Sequence, residues 1–161
     1  GVSETFGMAY AKAEISAGNA LPREGTVMLT VNDRDKAKAA KIGGRFAALG
    51  FGLVATEGTA KHLASQGIEA RSVFKVSGGR PNGIDLMVNG ELQLLINTPL
   101  GKRAQKDDYS LRQAAVANRV PYTTTLSGAS AACEAIETMR STKSEVRSLQ
   151  EWQATVGVGT S

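Results

Sequence analysis

The sequence predicts an α/β protein, a three-layer sandwich whose central, mostly parallel sheet is flanked by helices. Three observations lead there. Short, nearly continuous apolar runs recur along the chain, as strands covered on both faces require. Segments of helical periodicity separate them and are long enough for right-handed crossovers between parallel strands. Gly, Asn, Asp and Pro punctuate the junctions.

The opening stretch, residues 1–21, reads as a helix leading in from a preceding unit, with Phe6, Ala9, Tyr10, Ala13 and Ile15 as a rough apolar stripe. Pro22-Arg23-Glu24-Gly25 breaks it. Thr26-Val27-Met28-Leu29-Thr30-Val31 is the first strand, and Asn32-Asp33 suit the cap of the helix behind it. In that helix Arg34, Lys38, Lys41 and Arg45 mark the wet face, and Ala39, Ile42, Phe46 and Leu49 the dry one, with Gly50 as the stop. Gly52-Leu53-Val54-Ala55 is a second strand, and Thr56-Glu57-Gly58-Thr59 opens a helix carrying Leu63 and Ile68. Ser72-Val73-Phe74-Lys75-Val76 is a third strand, followed by the loop Gly78-Gly79-Arg80-Pro81 and a short helix with Ile84, Met87 and Val88 on its apolar side. Leu92-Gln93-Leu94-Leu95-Ile96 is the most apolar strand, ending at Asn97-Thr98-Pro99. Asp107 and Asp108 open a helix lined by Leu111, Ala114, Ala115 and Asn118, and Arg119 closes it, charges that suit the helix dipole. Pro121 to Thr125 leads to Ser127-Gly128 and a last helix with Ala131, Ala135 and Met139. From Ser144 the chain reads as a short edge element and then a loose tail, residues 154–161.

Composition narrows the function. Of 161 residues, 42% are apolar and 21% charged, which fits a domain with one buried core rather than a disordered chain. A formal charge of +4 without a long basic run, and with 5% aromatics, favours a small anionic ligand over a nucleic acid. Cys133 is the only cysteine, no apolar stretch approaches the roughly 18 residues of a membrane span, and no secretory signal pattern opens the chain. Cytoplasm is the expected compartment, and no membrane the expected partner.

In open α/β sheets ligands bind beyond the carboxyl ends of the strands. Those ends carry Thr30, Thr56-Glu57-Gly58-Thr59, Lys75, Ser77-Gly78-Gly79-Arg80, Asn97-Thr98 and Thr123-Thr124-Thr125. Hydroxyls and free N–H groups at helix starts suit a phosphate, and Lys75 and Arg80 would add charge. Taken one at a time each of these threonines reads more simply as a cap or turn; several strand ends sharing the chemistry point to an anion pocket. Enzyme signatures are thin. His62, the only histidine, reads as a surface residue; Cys133, between alanines, reads as packed; Asp85, Asp107 and Asp108 read as caps or solvated carboxylates. No Cys/His/carboxylate spacing supports a metal site. No catalytic and no metal-ligating residue is assigned.

Four segments carry a family resemblance. Ala55-Thr56-Glu57-Gly58-Thr59-Ala60 resembles the ATxGTA turn of the methylglyoxal-synthase-like fold. Lys75-Val76-Ser77-Gly78-Gly79-Arg80-Pro81-Asn82 resembles the KVxxGRPN loop of carbamoyl-phosphate synthase large subunits. Leu95-Ile96-Asn97-Thr98 and Tyr122 to Gly128 are similar to that family's IINT and TTLxG segments. Phe6 to Ala13 is similar to the helix leaving its second ATP-grasp unit, so the resemblance spans residues 1–153.

The resemblance implies a regulatory domain over residues 22–153, behind a linker helix over 1–21, in a ligase that makes carbamoyl phosphate from glutamine, bicarbonate and ATP for pyrimidine and arginine synthesis. It implies UMP, and in some members IMP, as the nucleotide effector. The partners would be the glutaminase small subunit and the rest of the large subunit, with room for a homo-oligomer. The domain itself would need no cofactor, while the parent enzyme would use ATP with Mg or Mn. By position, Thr30, Lys36, Thr56, Thr59, Lys75, Asn97 and Thr98 would bind phosphate and ribose, and Thr124 would lie on the ornithine-responsive side. Pro99 stands where the family often has a further Thr. The rival reading is a free-standing lyase acting on a small phosphorylated carbonyl compound. Against it, Arg80 and Thr98 stand where methylglyoxal synthases carry aspartates, which removes the acid/base pair.

Overall fold

A computed structural model describes residues 21–99 and 101–141. The first helix expected, the edge element from Ser144 and the tail lie outside the described residues. The elements, in order, are β1 (Thr26–Thr30), α1 (Lys36–Ala48), β2 (Gly52–Thr56), α2 (Glu57–Ser65), β3 (Arg71–Val73), α3 (Gly83–Val88), β4 (Leu94–Asn97), α4 (Gln105–Ala117) and β5 (Tyr122–Thr123). A last helix, α5, is described over residues 126–141.

The strands form one five-stranded sheet in the order β3-β2-β1-β4-β5, and every pairing is parallel. Right-handed crossovers then dictate the layers. The chain steps outward from β1 to β2 to β3 with α1 and α2 on one face. It crosses back to β4 and on to β5 with α3 and α4 on the other, and α5 returns to the first. The core divides accordingly. Val27, Leu29, Leu53, Leu94 and Ile96 pack with Ile42 and Phe46 of α1 and Ala132 and Ile136 of α5. Met28, Val54, Val73 and Leu95 pack with Leu86 and Met87 of α3 and Leu111 and Ala115 of α4. Leu94, Leu95 and Ile96 are wholly buried, which explains a strand with no polar alternation. Each contributes about 1.5–3 kcal/mol by burial.

Two details pin α5. Gly128 packs so closely on β5 that a Cβ there would lie 2.1 Å from Thr123 Oγ1. At the far end Arg140 donates to the carbonyls of Arg23 and Leu49 while its guanidinium lies 5.4 Å from the Phe51 ring centroid. Near the Gly128 end, Arg45 of α1 donates to Ser130 Oγ at 3.0 Å. This cation, expected on the wet face, spans the α1–α5 seam.

Four further expectations are corrected. β3 ends at Val73 rather than Val76, because the Phe74 N–H turns to the Pro81 carbonyl and Lys75 opens a 3₁₀ turn. Val88 is 65% exposed, because the short α3 turns Leu86 and Met87 inward instead. Asp108 is buried rather than solvated: it sits three and seven residues before Leu111 and Ala115, on the helix's inward stripe. His62 is half-buried, with an Nε2 that is shielded and has no hydrogen-bond partner. Cys133 is packed as expected, and burial, the largest cause, pushes its thiol up to about 11.

Candidate functional site

The sheet order reverses direction between β1 and β4, so the crevice at their carboxyl ends is the topological switch point of this fold. Strand register determines what lies there. Thr30 of β1 pairs with Asn97 of β4, and the pairing of Leu29 with Ala55 carries Thr30 beside Thr56 of β2. Side chains alternate along a strand. Thr30, Thr56 and Asn97 therefore share the parity of Met28, Val54 and Leu95 and lie toward α3 and α4. Three adjacent strands each end in a polar residue on one face. Since Ile96 pairs with Thr123, the register carries Thr124 beside Asn97.

This row is buried, with Thr30 1%, Thr56 5% and Asn97 0% exposed. Thr30 Oγ1 and both amide atoms of Asn97 have no hydrogen-bond partner within the protein. A buried polar atom left without any partner costs about 1–3 kcal/mol, so these three atoms look outward from the fold for one, to water or to a ligand. Thr98 differs from its neighbours. Its N–H donates to the Thr30 carbonyl and its Oγ1 accepts from the Asn32 N–H at 3.1 Å, while Asn32 Nδ2 donates to the Pro99 carbonyl. Thr98 thus laces β4 to the end of β1, and its hydroxyl lone pair is already engaged.

The charged groups converge from two loops. Lys36, at the start of α1, places Nζ 2.6 Å from Asp33 Oδ1. The same ammonium lies only 3.2 Å from where a Cβ on Gly58 would sit, so the bare backbone of Gly58 gives it access to the first turn of α2. Thr56 caps that helix in extended conformation, and Thr59 is buried in its first turn. A cation beside the positive end of a helix dipole is tolerated only with an anion close by. Asp33 is that anion here. The Lys36 hydrogen bond, then the Lys36 charge, hold its carboxyl below the usual range, and Lys75 adds to the effect. Lys75, just beyond β3, shares a small cavity with Thr30, Thr56, Val76, Gly83 and Asp107.

The structure thus brings Thr30, Thr56 and Lys75 around one cavity, with Asn97 in the same row and Lys36 and Thr59 at the α2 start. Arg80 is not brought in. Its guanidinium holds Asp85 Oδ1 at 2.6 and 2.9 Å in a separate groove with Ile84 and Asn89. That pair, and then the Asn82 N–H, hold the Asp85 carboxyl low while Asp85 completes a capping box with Asn82. Sequence reading missed Asp107 as a wall of the cavity and Ser77 as its partner; no spacing signals a contact between residues 30 apart. Among the described residues no cluster of three or more His, Cys, Asp or Glu would hold a metal ion, and no helix is long and apolar enough to cross a membrane.

Comparison with known proteins places the chain in a family. The chain is 58% identical over 152 residues to the carbamoyl phosphate synthase large chain of Gemmatimonas aurantiaca, an alignment covering 94% of this chain and 14% of that one. It is 47% identical to the C-terminal section of the same large chain from Aquifex aeolicus, covering 94% of this chain and 29% of that one. The chain therefore spans less than a third of the length of either relative. Methylglyoxal synthase from Elizabethkingia anophelis shares the fold, with a TM-score of 0.55 at 20% identity, over 68% of this chain and 77% of that one. The family model described as the MGS-like domain matches residues 24–124, and the chain belongs to that family.

Proposed function

We propose that this chain is the effector-binding regulatory domain of a glutamine-dependent carbamoyl-phosphate synthase large chain, taking a nucleoside monophosphate at the carboxyl end of its sheet. The observation that carries the reading is the buried row of Thr56, Thr30 and Asn97, with unpartnered polar atoms on the last two and Lys36 and Lys75 beside it. A phosphate with its ribose supplies the donors and acceptors that such a row lacks, and the ammonium groups supply the counter-charge. UMP is the first candidate and IMP the second, with Thr124 on the side where ornithine would be sensed.

Occupancy regulates only through a difference in affinity between two states of the attached ligase. That coupling would run through the leading segment, residues 1–21. The ATP, the Mg or Mn and the glutaminase partner belong to the parent enzyme in this reading. The lyase alternative gains no support: at the two positions where methylglyoxal synthases carry aspartates, Arg80 is paired with Asp85 and Thr98 is laced to Asn32.

The test is calorimetric titration of the 161-residue chain with UMP and with IMP, beside a Lys75→Ala variant. Saturable binding of either nucleotide, weakened about tenfold or more in the variant, is the expected result. A folded sample that takes up neither nucleotide overturns the reading.

A further inference from the structure

We infer that the loop from Lys75 to Gly79 is a strap latched shut across the strand-end cavity by Ser77 and Asp107, and that latch and ligand exclude one another. The inference rests on the nucleotide reading for its ligand but stands on separate observations. The polar row is 0–5% exposed, so no ligand reaches it in this arrangement. The cavity holds about 10 Å³, the room of roughly one water and far less than a phosphate group. Entry therefore requires a wall to move.

Of the walls, β1, β2 and the start of α3 are core elements. The segment between β3 and α3 is built differently. Its neck is fastened: the Phe74 N–H donates to the Pro81 carbonyl at 3.1 Å, Phe74 bridges to Asn82, and Asn82 Nδ2 donates to the Gly79 carbonyl at 2.9 Å. The tip is compact, with the Gly78 N–H donating to the Lys75 carbonyl at 2.8 Å. The neck is anchored to the start of α3 through Asn82 and the Arg80–Asp85 pair, so the tip from Lys75 to Gly79 is the part free to swing on it. Two hydrogen bonds tie the tip to α4, both from Ser77 to one oxygen of Asp107: Oγ at 2.7 Å and N–H at 3.2 Å. Val76, beside them, packs on the α3/α4 core and plugs the cavity.

Exposed contacts of this kind break readily. Lifting the tip by the size of a phosphate separates Ser77 from Asp107, withdraws Val76 and carries Lys75 with it. A bound phosphate then occupies the space the tip needs to close. Ser77 thus sets ligand affinity without touching the ligand, as a positioning residue whose loss favours the open state.

The test compares the full chain with Ser77→Ala, using hydrogen–deuterium exchange on the unliganded proteins and calorimetric titration with UMP and with IMP. The expected result is faster exchange in the peptide spanning residues 74–82 and about three- to tenfold tighter binding of whichever nucleotide is taken up. Unchanged exchange in that peptide overturns the latch. Faster exchange with unchanged or weaker nucleotide binding overturns the exclusion. Faster exchange where neither protein binds UMP or IMP supports the latch and overturns the nucleotide reading instead, so the two failures are told apart.

Discussion

Thr30→Val tests the central claim about the polar row because it separates stability from binding. The substitution keeps the branched shape and replaces a hydroxyl that is buried to 1% and without a partner. An unsatisfied buried hydroxyl costs about 1–3 kcal/mol, and Val suits a parallel strand better than Thr. Part of that cost is recovered by relaxation, so the expected net gain is about 1 kcal/mol. For a chain of this length it appears as a rise of about 3 °C in Tm. Urea unfolding followed by circular dichroism gives the same quantity as a higher midpoint at constant slope. UMP affinity in the same variant is expected to fall about tenfold, since the lost hydroxyl is one the phosphate would use. A variant destabilised by about 1 kcal/mol or more would mean that the hydroxyl is satisfied in the folded protein, and the argument from unpartnered atoms would fail. A stabilised variant that binds UMP as before would refute the assignment of Thr30 to the ligand.

Gly58→Ala is expected to raise helix stability by about 0.5–1 kcal/mol while weakening UMP about threefold, because the new methyl meets Lys36 Nζ at 3.2 Å and displaces it; unfolding and calorimetric titration measure both. Cys133, with its thiol pushed up to about 11 by burial, is expected to resist iodoacetamide at pH 8 in the folded protein and to react once urea unfolds it; labelling without denaturant would contradict the packing. The Asp85 carboxyl titrates below its unfolded value of 3.8, so its contribution is present above that value and is lost as pH falls through the lowered one. Arg80→Met is expected to raise the Asp85 carboxyl toward 3.8, read by carboxyl NMR titration; an unmoved titration would mean that the Asn82 N–H alone sets it.

Periodicity made the layers legible. Apolar runs at Val27–Leu29 and Leu94–Ile96 require cover on both faces, and both are buried on both. The alternation of strand and helix carried the parallel sheet, but the order β3-β2-β1-β4-β5 depends on which way each crossover turns, and no local pattern records that. The same limit explains the site. Thr30, Thr56 and Asn97 were visible one by one as strand ends, and each alone reads more simply as a cap or turn. Only the register, with Thr30 opposite Asn97 and Leu29 opposite Ala55, aligns them. Asp108 misled because a charged residue in a first helical turn is usually solvated, whereas here the inward stripe carries it under. Ser77 and Asp107 meet through tertiary structure, and their types alone announce nothing.

The division between satisfied and unsatisfied groups at the strand ends is itself an argument for a ligand. Asn32, Thr98 and Pro99 use their polar atoms on one another and so fix the ends of β1 and β4 relative to each other. Thr30 and Asn97, flanked by that lacing, keep theirs unspent inside a rigid frame. Lys36 meanwhile is held over the start of α2 by Asp33, whose side chain is 94% exposed and is released from the ammonium with little loss of buried contact. In the proposed nucleotide complex a phosphate would replace Asp33 at the same cation, so the helix end and the ammonium would stay neutralised. The fold thus combines a laced frame, a row of polar groups without protein partners and a replaceable anion in Asp33, which is the combination that the proposed ligand exchange requires.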